Sequence, residues 1–149
     1  MVRAVVFCAF GVLAIGCGSQ RPEVVPTTGR ILIGGKPLTG VAGFVRVEPA
    51  DTRPATGAID EENGSFTLTT FERNDGCVVG THPVAVIVNV TAGGQVLSLV
   101  PEKYADASTS GLSVAISGKA AAVTIELEGE LKQVPKATEQ DVRNDTPGY

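Results

Sequence analysis

The 149-residue chain has no tryptophan, a single histidine and only three cysteines. One histidine leaves no second imidazole for a histidine metal site or a paired catalytic centre, and no Gly-x-Ser-x-Gly nucleophile motif occurs. Basic side chains are fewer than acidic ones, 12 against 16, and no basic patch is present to neutralise nucleic-acid phosphates. We therefore predict no catalytic residue, no metal or cofactor, and no nucleic-acid partner.

The amino-terminal stretch is the most informative part of the sequence. Arg3 precedes an uncharged apolar run over residues 4–15, and Gly16-Cys17-Gly18-Ser19 ends that run abruptly. A basic start, a short apolar core and small residues at its end are typical of a secretory signal peptide. The run is shorter than the roughly 20 apolar residues that span a bilayer. We predict that residues 1–16 are a signal peptide, cleaved between Gly16 and Cys17.

Leu13-Ala14-Ile15-Gly16-Cys17 resembles the lipobox of bacterial lipoproteins, with Ala14 where those proteins usually have leucine. The resemblance implies that Cys17 carries palmitate or a similar fatty acid and holds the protein on a lipid bilayer of the cell envelope. Two or more acyl chains anchor stably, since each buried methylene contributes about 0.8 kcal/mol. Gly18 replaces the Asp that signals inner-membrane retention in some lipoproteins, which favours the outer membrane. Ala14 and Gly16 also fit ordinary secretory cleavage, so a secreted or periplasmic protein is the alternative.

Beyond the signal, the composition favours short strands and tight turns, with 18 glycines, nine prolines and many valines and threonines. Residues 80–90 are apolar on both faces and are expected to form a central, buried strand. Gly118-Lys119 is predicted to be a hairpin connection between the last two strands. We predict an all-β fold, an antiparallel β-sandwich of seven or eight strands. The strand segments are residues 28–33, 43–48, 58–59, 65–69, 80–90, 96–100, 112–117 and 123–128.

The limits of the domain follow from composition. We predict that residues 17–27 form a polar tether, that residues 28–129 form the sandwich, and that residues 130–149 are a disordered tail. Residues 49–54 and 101–111 are expected to be exposed loops that present contact surfaces, as loops on rigid scaffolds often do.

Three local features could carry chemistry, and each has a simpler structural interpretation. Asp60-Glu61-Glu62-Asn63-Gly64 contains three acids, but the spacing does not fit a calcium-binding loop, and its last two residues favour a hairpin turn. His82 is expected at the rim of its strand and not in a metal site. Cys77 is expected to be a small buried hydrophobe. It has no partner for an internal disulfide if Cys8 leaves with the signal and Cys17 is acylated.

Four motifs follow one another in order between residues 28 and 129. They are Gly34-Gly35-Lys36-Pro37-Leu38, Gly64-Ser65-Phe66-Thr67-Leu68, Gly80-Thr81-His82-Pro83-Val84 and Val100-Pro101-Glu102-Lys103-Tyr104. This series resembles carboxypeptidase regulatory-like domains, which are transthyretin-like sandwiches found on many small exported bacterial lipoproteins. The resemblance implies a non-catalytic module that binds or spaces, with an envelope protein or a glycan as its partner.

These features lead us to expect a lipid-anchored envelope protein whose sandwich is a binding or structural module. The alternative is a small periplasmic or surface hydrolase, because a transthyretin-like fold also hosts 5-hydroxyisourate hydrolase. That enzyme uses more than one histidine with an arginine and ends in Tyr-Arg-Gly-Ser, whereas this chain ends in Thr146-Pro147-Gly148-Tyr149. A third possibility is a subunit of a larger assembly, bound by strand addition at an exposed sheet edge.

Overall fold

The computed structural model describes residues 21–133, and within them the fold is all-β, as predicted. The strands are β1 Val24–Val25, β2 Thr27–Ile33, β3 Lys36–Pro37, β4 Gly43–Val47, β5 Ala55–Ile59, β6 Ser65–Thr67, β7 Cys77–Val78, β8 Gly80–Ile87, β9 Asn89–Ala92, β10 Gln95–Ser98, β11 Ser113–Ile116 and β12 Ala121–Leu127. A 3-10 turn covers Glu102–Ala105, and a single helical turn, α1, covers Ala107–Ser110. The number exceeds the seven or eight expected because three of the twelve strands, β1, β3 and β7, are pairings of only two residues, and because the predicted strand over residues 80–90 is divided between β8 and β9.

Two sheets share one hydrophobic core. The first is antiparallel and has the strand order β11-β8-β4-β5, and the second has the order β12-β2-β3, with β6 also paired to β2. The predicted central strand, β8, lies between β11 and β4. Its Val84 and Val86 are fully buried and belong to the same cluster as Ile31 of β2 and Ile125 of β12. Alternating apolar residues therefore fix the inward face of each sheet.

The first long strand and the last strand pair in parallel. β2 and β12 run side by side from Thr27 opposite Ala121 to Ile33 opposite Leu127. This corrects the expectation of an entirely antiparallel sandwich. It also corrects the predicted hairpin at Gly118-Lys119, because β11 pairs with β8 in one sheet and β12 pairs with β2 in the other. One-sided alternation identifies both strands, but it does not specify the partner of either.

The predicted hairpin at Asn63-Gly64 is present, and it joins the two sheets. The N–H of Asp60 donates to the Ser65 carbonyl (2.8 Å), and Thr56 and Thr69 exchange backbone hydrogen bonds of 2.9 and 2.8 Å. The glycine of the turn has φ 71°, a left-handed conformation that glycine adopts without strain. Because β5 belongs to the first sheet and β6 pairs with β2 of the second, this hairpin closes one side of the fold.

Tyr104 closes the opposite side of the fold. It lies on the 3-10 turn, only 1% of its surface is exposed, and it belongs to the core cluster. Its hydroxyl accepts a hydrogen bond from the N–H of Glu128, directly after β12 (2.8 Å). The neighbouring α1 packs against β8 of the other sheet. Residues 101–111 are therefore anchored to both sheets, although side chains such as Lys103 remain exposed.

Both ends of the predicted domain need correction. Val24 and Val25 form β1 and pair with β7, and the buried Thr27 donates its hydroxyl proton to the Val25 carbonyl (2.7 Å). These apolar residues seal the core, so the predicted tether over residues 17–27 ends earlier. At the other end, Leu131 packs against the core and the N–H of Lys132 donates to the Leu99 carbonyl (2.8 Å). The remainder of the predicted tail, residues 134–149, lies outside the described residues.

Ser110 yields a first test of this fold. Its buried hydroxyl donates to the Val84 carbonyl (2.6 Å) and accepts from the N–H of Leu112 (3.0 Å), so it connects β8 to the chain entering β11. Ser110→Ala leaves two backbone groups unpaired, and we expect a loss of about 1–3 kcal/mol in the free energy of unfolding. Urea denaturation measures the loss. The exposed Ser113→Ala is the control, and equal losses in the two variants would contradict the assigned role.

Asp75 provides a pH-dependent test. Burial raises the pKa of its carboxyl group, but hydrogen bonds from the N–H groups of Thr70, Glu72 and Phe71 outweigh burial and hold the pKa below its ordinary value. Its stabilisation is therefore complete above the unfolded pKa of about 3.9 and is lost as pH falls through the lower folded pKa. We expect Asp75→Asn to lower the free energy of unfolding at pH 7 by about 1 kcal/mol, because solvent screens the carboxylate.

The difference in stability between this variant and the native chain should narrow as the pH falls from about 4 through the lower folded pKa, because the native carboxylate becomes protonated over that range. Urea denaturation of both chains at several pH values between about 7 and about 2.5 measures this difference in the free energy of unfolding. Asp51→Asn, at an exposed loop position, serves as the control. A difference that stays constant over this pH range would contradict the assignment.

Candidate functional site

A groove of about 660 Å³ opens beside the start of β8. One wall is the segment after β4, residues 48–52, which includes most of a predicted contact loop. The other wall is residues 78–83, and Pro22 reaches the groove from the amino-terminal side. Val79 contributes an apolar surface that is 56% exposed, which is unusual for a large hydrophobic residue in this fold. The groove also contains the chain's one histidine, and we take it as the candidate binding site.

His82 lies at the rim of this groove and is partly buried. Its Nε2 is 3.0 Å from the Val78 carbonyl oxygen. Because a carbonyl can only accept, Nε2 must carry the proton and donate it, which leaves Nδ1 as the free ring nitrogen of the neutral side chain. The ring also lies against Gly80, where an added Cβ would come within 2.8 Å of Cε1. His82 therefore holds the entry of β8 in shape, at the rim position that the sequence predicts.

The polar groups of the groove are mostly acceptors. Glu48 forms an ion pair with Arg46 at 2.9 Å, and both side chains are partly exposed. Asp51 and the hydroxyls of Thr52 and Thr81 complete the polar lining. Across residues 21–133, no group of three or more His, Cys, Asp or Glu side chains is placed to hold a metal ion. With an apolar wall, carboxylates and hydroxyls, this lining suits reversible binding through hydrogen bonds and apolar contact.

In the acidic turn after β5, the Asp60 carboxylate accepts hydrogen bonds from the backbone of the turn itself. Oδ1 of Asp60 accepts from the N–H groups of Glu62 (2.9 Å) and Asn63 (3.2 Å), and Oδ1 of Asn63 accepts from the N–H of Ser65 (2.8 Å). These are the bonds of an Asx-type turn, in which a side chain replaces a missing backbone partner. A polar groove of about 530 Å³ lies beside this hairpin, between β5 and β6.

Cys77 is fully buried in β7 and takes no part in either groove. Burial raises the pKa of its thiol, and the charge of Asp75 adds to that rise, against a smaller lowering by the backbone of Val78. The thiolate is the reactive form, so this environment suppresses its chemistry. Cys77 is therefore a buried core residue, as expected from the sequence.

The residues predicted to direct the protein to the membrane lie outside residues 21–133, the part of the chain that the structure describes. Gly16 and Cys17, the predicted cleavage and lipidation residues, precede residue 21, and so does the whole predicted signal peptide. Between residues 21 and 133, no helix has the length and apolar character needed to cross a bilayer. The structure therefore describes the β domain, and the signal peptide and the anchor stay predictions from the sequence.

Sequence reasoning missed most of the groove. Cys77 and Val78 are both buried, which departs from the alternation of a strand, and the next side chain, Val79, is exposed. Two consecutive valines followed by glycine could have signalled a change of face, but not the groove that forms there. No protein-family model, no curated protein and no solved structure matches this chain.

The burial of Cys77 leads to a labelling test. In a chain with Cys8→Ser and Cys17→Ser, Cys77 is the remaining thiol. We expect it to react with a thiol reagent about 100-fold more slowly in buffer than in urea, because the reagent must wait for local opening. Adding Val79→Cys to this chain places a thiol at an exposed neighbouring position that should react at once. Equal rates at positions 77 and 79 in the native protein would contradict the assignment.

Proposed function

We propose that this chain is a lipid-anchored lipoprotein of the cell envelope, on the outer membrane in preference to the inner, and that its β domain is a non-catalytic binding or structural module. The observation that carries the anchor is the stretch ending in Cys17, where an apolar core too short to span a bilayer stops at a cysteine. Acyl chains on that sulfur would hold the domain at a bilayer surface.

We further propose a transthyretin-like domain of the carboxypeptidase regulatory-like kind. Support comes from where the four resembling motifs lie. Gly34-Gly35 forms the turn between β2 and β3, and Gly64 ends the turn of the β5–β6 hairpin. The third motif is the start of the central strand β8, and the fourth ends in the buried Tyr104. Each motif thus occupies a position that fixes a turn or fills the core.

The non-catalytic role rests on the groove beside β8. A hydrolase would need a base at the site that can take a proton from water or a nucleophile. His82, the chain's one histidine, bonds the Val78 carbonyl through Nε2, and no nucleophilic side chain within residues 21–133 is hydrogen-bonded to its other ring nitrogen. The exposed Val79 and the hydroxyls and carboxylates nearby offer contacts for a protein segment or a glycan.

The anchor and the groove would be close together. Pro22 lines the groove, and a fully extended chain covers at most about 3.6 Å per residue. Cys17 stands five positions before Pro22 in the sequence, so the chain between them can span no more than about 18 Å. A partner bound in the groove would meet this protein near the bilayer surface, so an envelope protein or glycan at that surface fits best.

Replacing the anchoring cysteine tests the proposal. We expect the intact chain to incorporate a clickable palmitate analogue and to sediment with membranes, and we expect Cys17→Ser to lose the label and to leave the membrane fraction, since the acyl chains supply the affinity. Cys8→Ser is the matched control, because Cys8 lies inside the predicted signal. An unlabelled native chain, or equal labelling of Cys17→Ser and the native chain, would contradict the proposal that Cys17 carries the acyl chains.

A further inference from the structure

The outer edge of β12 is the longest open sheet edge among the described strands. β12 has seven residues and pairs with β2 on one side, whereas β11 at the edge of the other sheet has four. No strand between residues 21 and 133 pairs with its other side. An open strand edge presents unpaired N–H and C=O groups that can continue a sheet into another chain.

The register shows which backbone groups face outward. The N–H of Ala121 donates to the Pro26 carbonyl, and the Leu127 carbonyl accepts from the N–H of Gly34. The backbone N–H and C=O groups of the odd-numbered residues of β12 therefore point toward β2. Those of the even-numbered residues point away from β2, toward the open edge. The N–H of Glu128 confirms this independently, because it turns to the opposite side and donates to the Tyr104 hydroxyl.

The open positions are thus Ala122, Thr124 and Glu126, all with exposed side chains. Natural edge strands are commonly protected by proline, a bulge or a lysine. β12 has no proline and no lysine, and its register with β2 runs one to one without a bulge. Beyond Glu126 the edge cannot accept another strand, because the N–H of Glu128 already donates a hydrogen bond to the Tyr104 hydroxyl.

We propose that this edge pairs with the same edge of a second copy of the chain, antiparallel, with Thr124 opposite Thr124 on a two-fold axis. In this register each Ala122 faces a Glu126 of the other copy, and every open N–H meets an open carbonyl. Shifting the register by two residues would place Glu126 opposite Thr124 and leave Ala122 facing the Glu128 that Tyr104 already closes. A shift by four would place Glu126 opposite Glu126, where like charges repel.

Charge along the strand also favours an antiparallel second copy. Lys119 lies just before β12, and Glu126, Glu128 and Glu130 lie at its end and after it. Antiparallel pairing brings the basic start of each copy toward the acidic end of the other, whereas parallel in-register pairing would align the acids. A two-fold pair of this kind is isologous and closes on itself.

Charge replacement at the two-fold axis tests the proposal, and the test does not depend on the lipid anchor. Two full-length copies with different tags are produced together and purified, under mild detergent where needed, from whichever fraction holds them. Thr124→Lys in both copies, or Thr124→Glu in both, should lower recovery of the second tag about tenfold, because like charges then face each other. Combining T124K in one copy with T124E in the other should restore recovery.

Thr28 supplies the matched control, since it is exposed beside Ala122 on the same sheet but lies on the interior strand β2. Thr28→Lys or Thr28→Glu in both copies should leave recovery of the second tag unchanged. Restoration by the mixed pair also excludes misfolding as the cause of the loss. The proposal is overturned if native tags do not co-purify, if both charged pairs still co-purify, or if the mixed pair does not recover.

Discussion

The parallel ladder between β2 and β12 is the constraint on which the rest of the fold depends. It joins the two ends of the domain over seven consecutive positions, with β6 and β3 on the far side of β2. Bringing such distant segments together costs loop-closure entropy, so packing along the ladder must offset that cost. Phe66 contributes to this packing, because its ring lies so close to Gly29 that an added Cβ there would clash with it and would lie 2.7 Å from the Val123 carbonyl. Glycine at this position lets the aromatic ring cover the centre of the ladder.

That ladder also explains why the two sides of the sandwich close differently. On one side the β5–β6 hairpin passes from sheet to sheet as continuous chain, and Gly57 permits a close approach there, since a Cβ would lie 2.6 Å from the Thr67 carbonyl. On the other side the edge strands β11 and β12 belong to different sheets, and the four-residue segment 117–120 joins them. The buried ring and hydroxyl of Tyr104 reinforce this side, because the hydroxyl holds the N–H of Glu128 just after β12. One side is therefore closed by a paired hairpin, and the other by a short connection together with a buried side chain.

The sequence predicts the elements better than their partners. The alternation of Val84 and Val86 with their neighbours is enough to identify β8 and its inward face, because side-chain direction is a local property of a strand. Parallel pairing of β12 is a property of the whole chain, so its own alternation cannot indicate it. Val24-Val25 falls within the predicted tether, because two residues are too few to show a period. Alternation does not predict the groove for a related reason, because its walls come from residues 48–52 and 78–83, which are far apart in sequence.

The anchor, the groove and the β12 edge have a physical connection under the proposals made above. A ladder limited to Ala122, Thr124 and Glu126 is short, so the rotational and translational entropy lost on association offsets much of its free energy of binding. Acyl chains on Cys17 would confine every copy to one surface, which raises the effective concentration without adding a contact. Pairing that purified copies already show would then be more complete at the membrane, where the copies are concentrated.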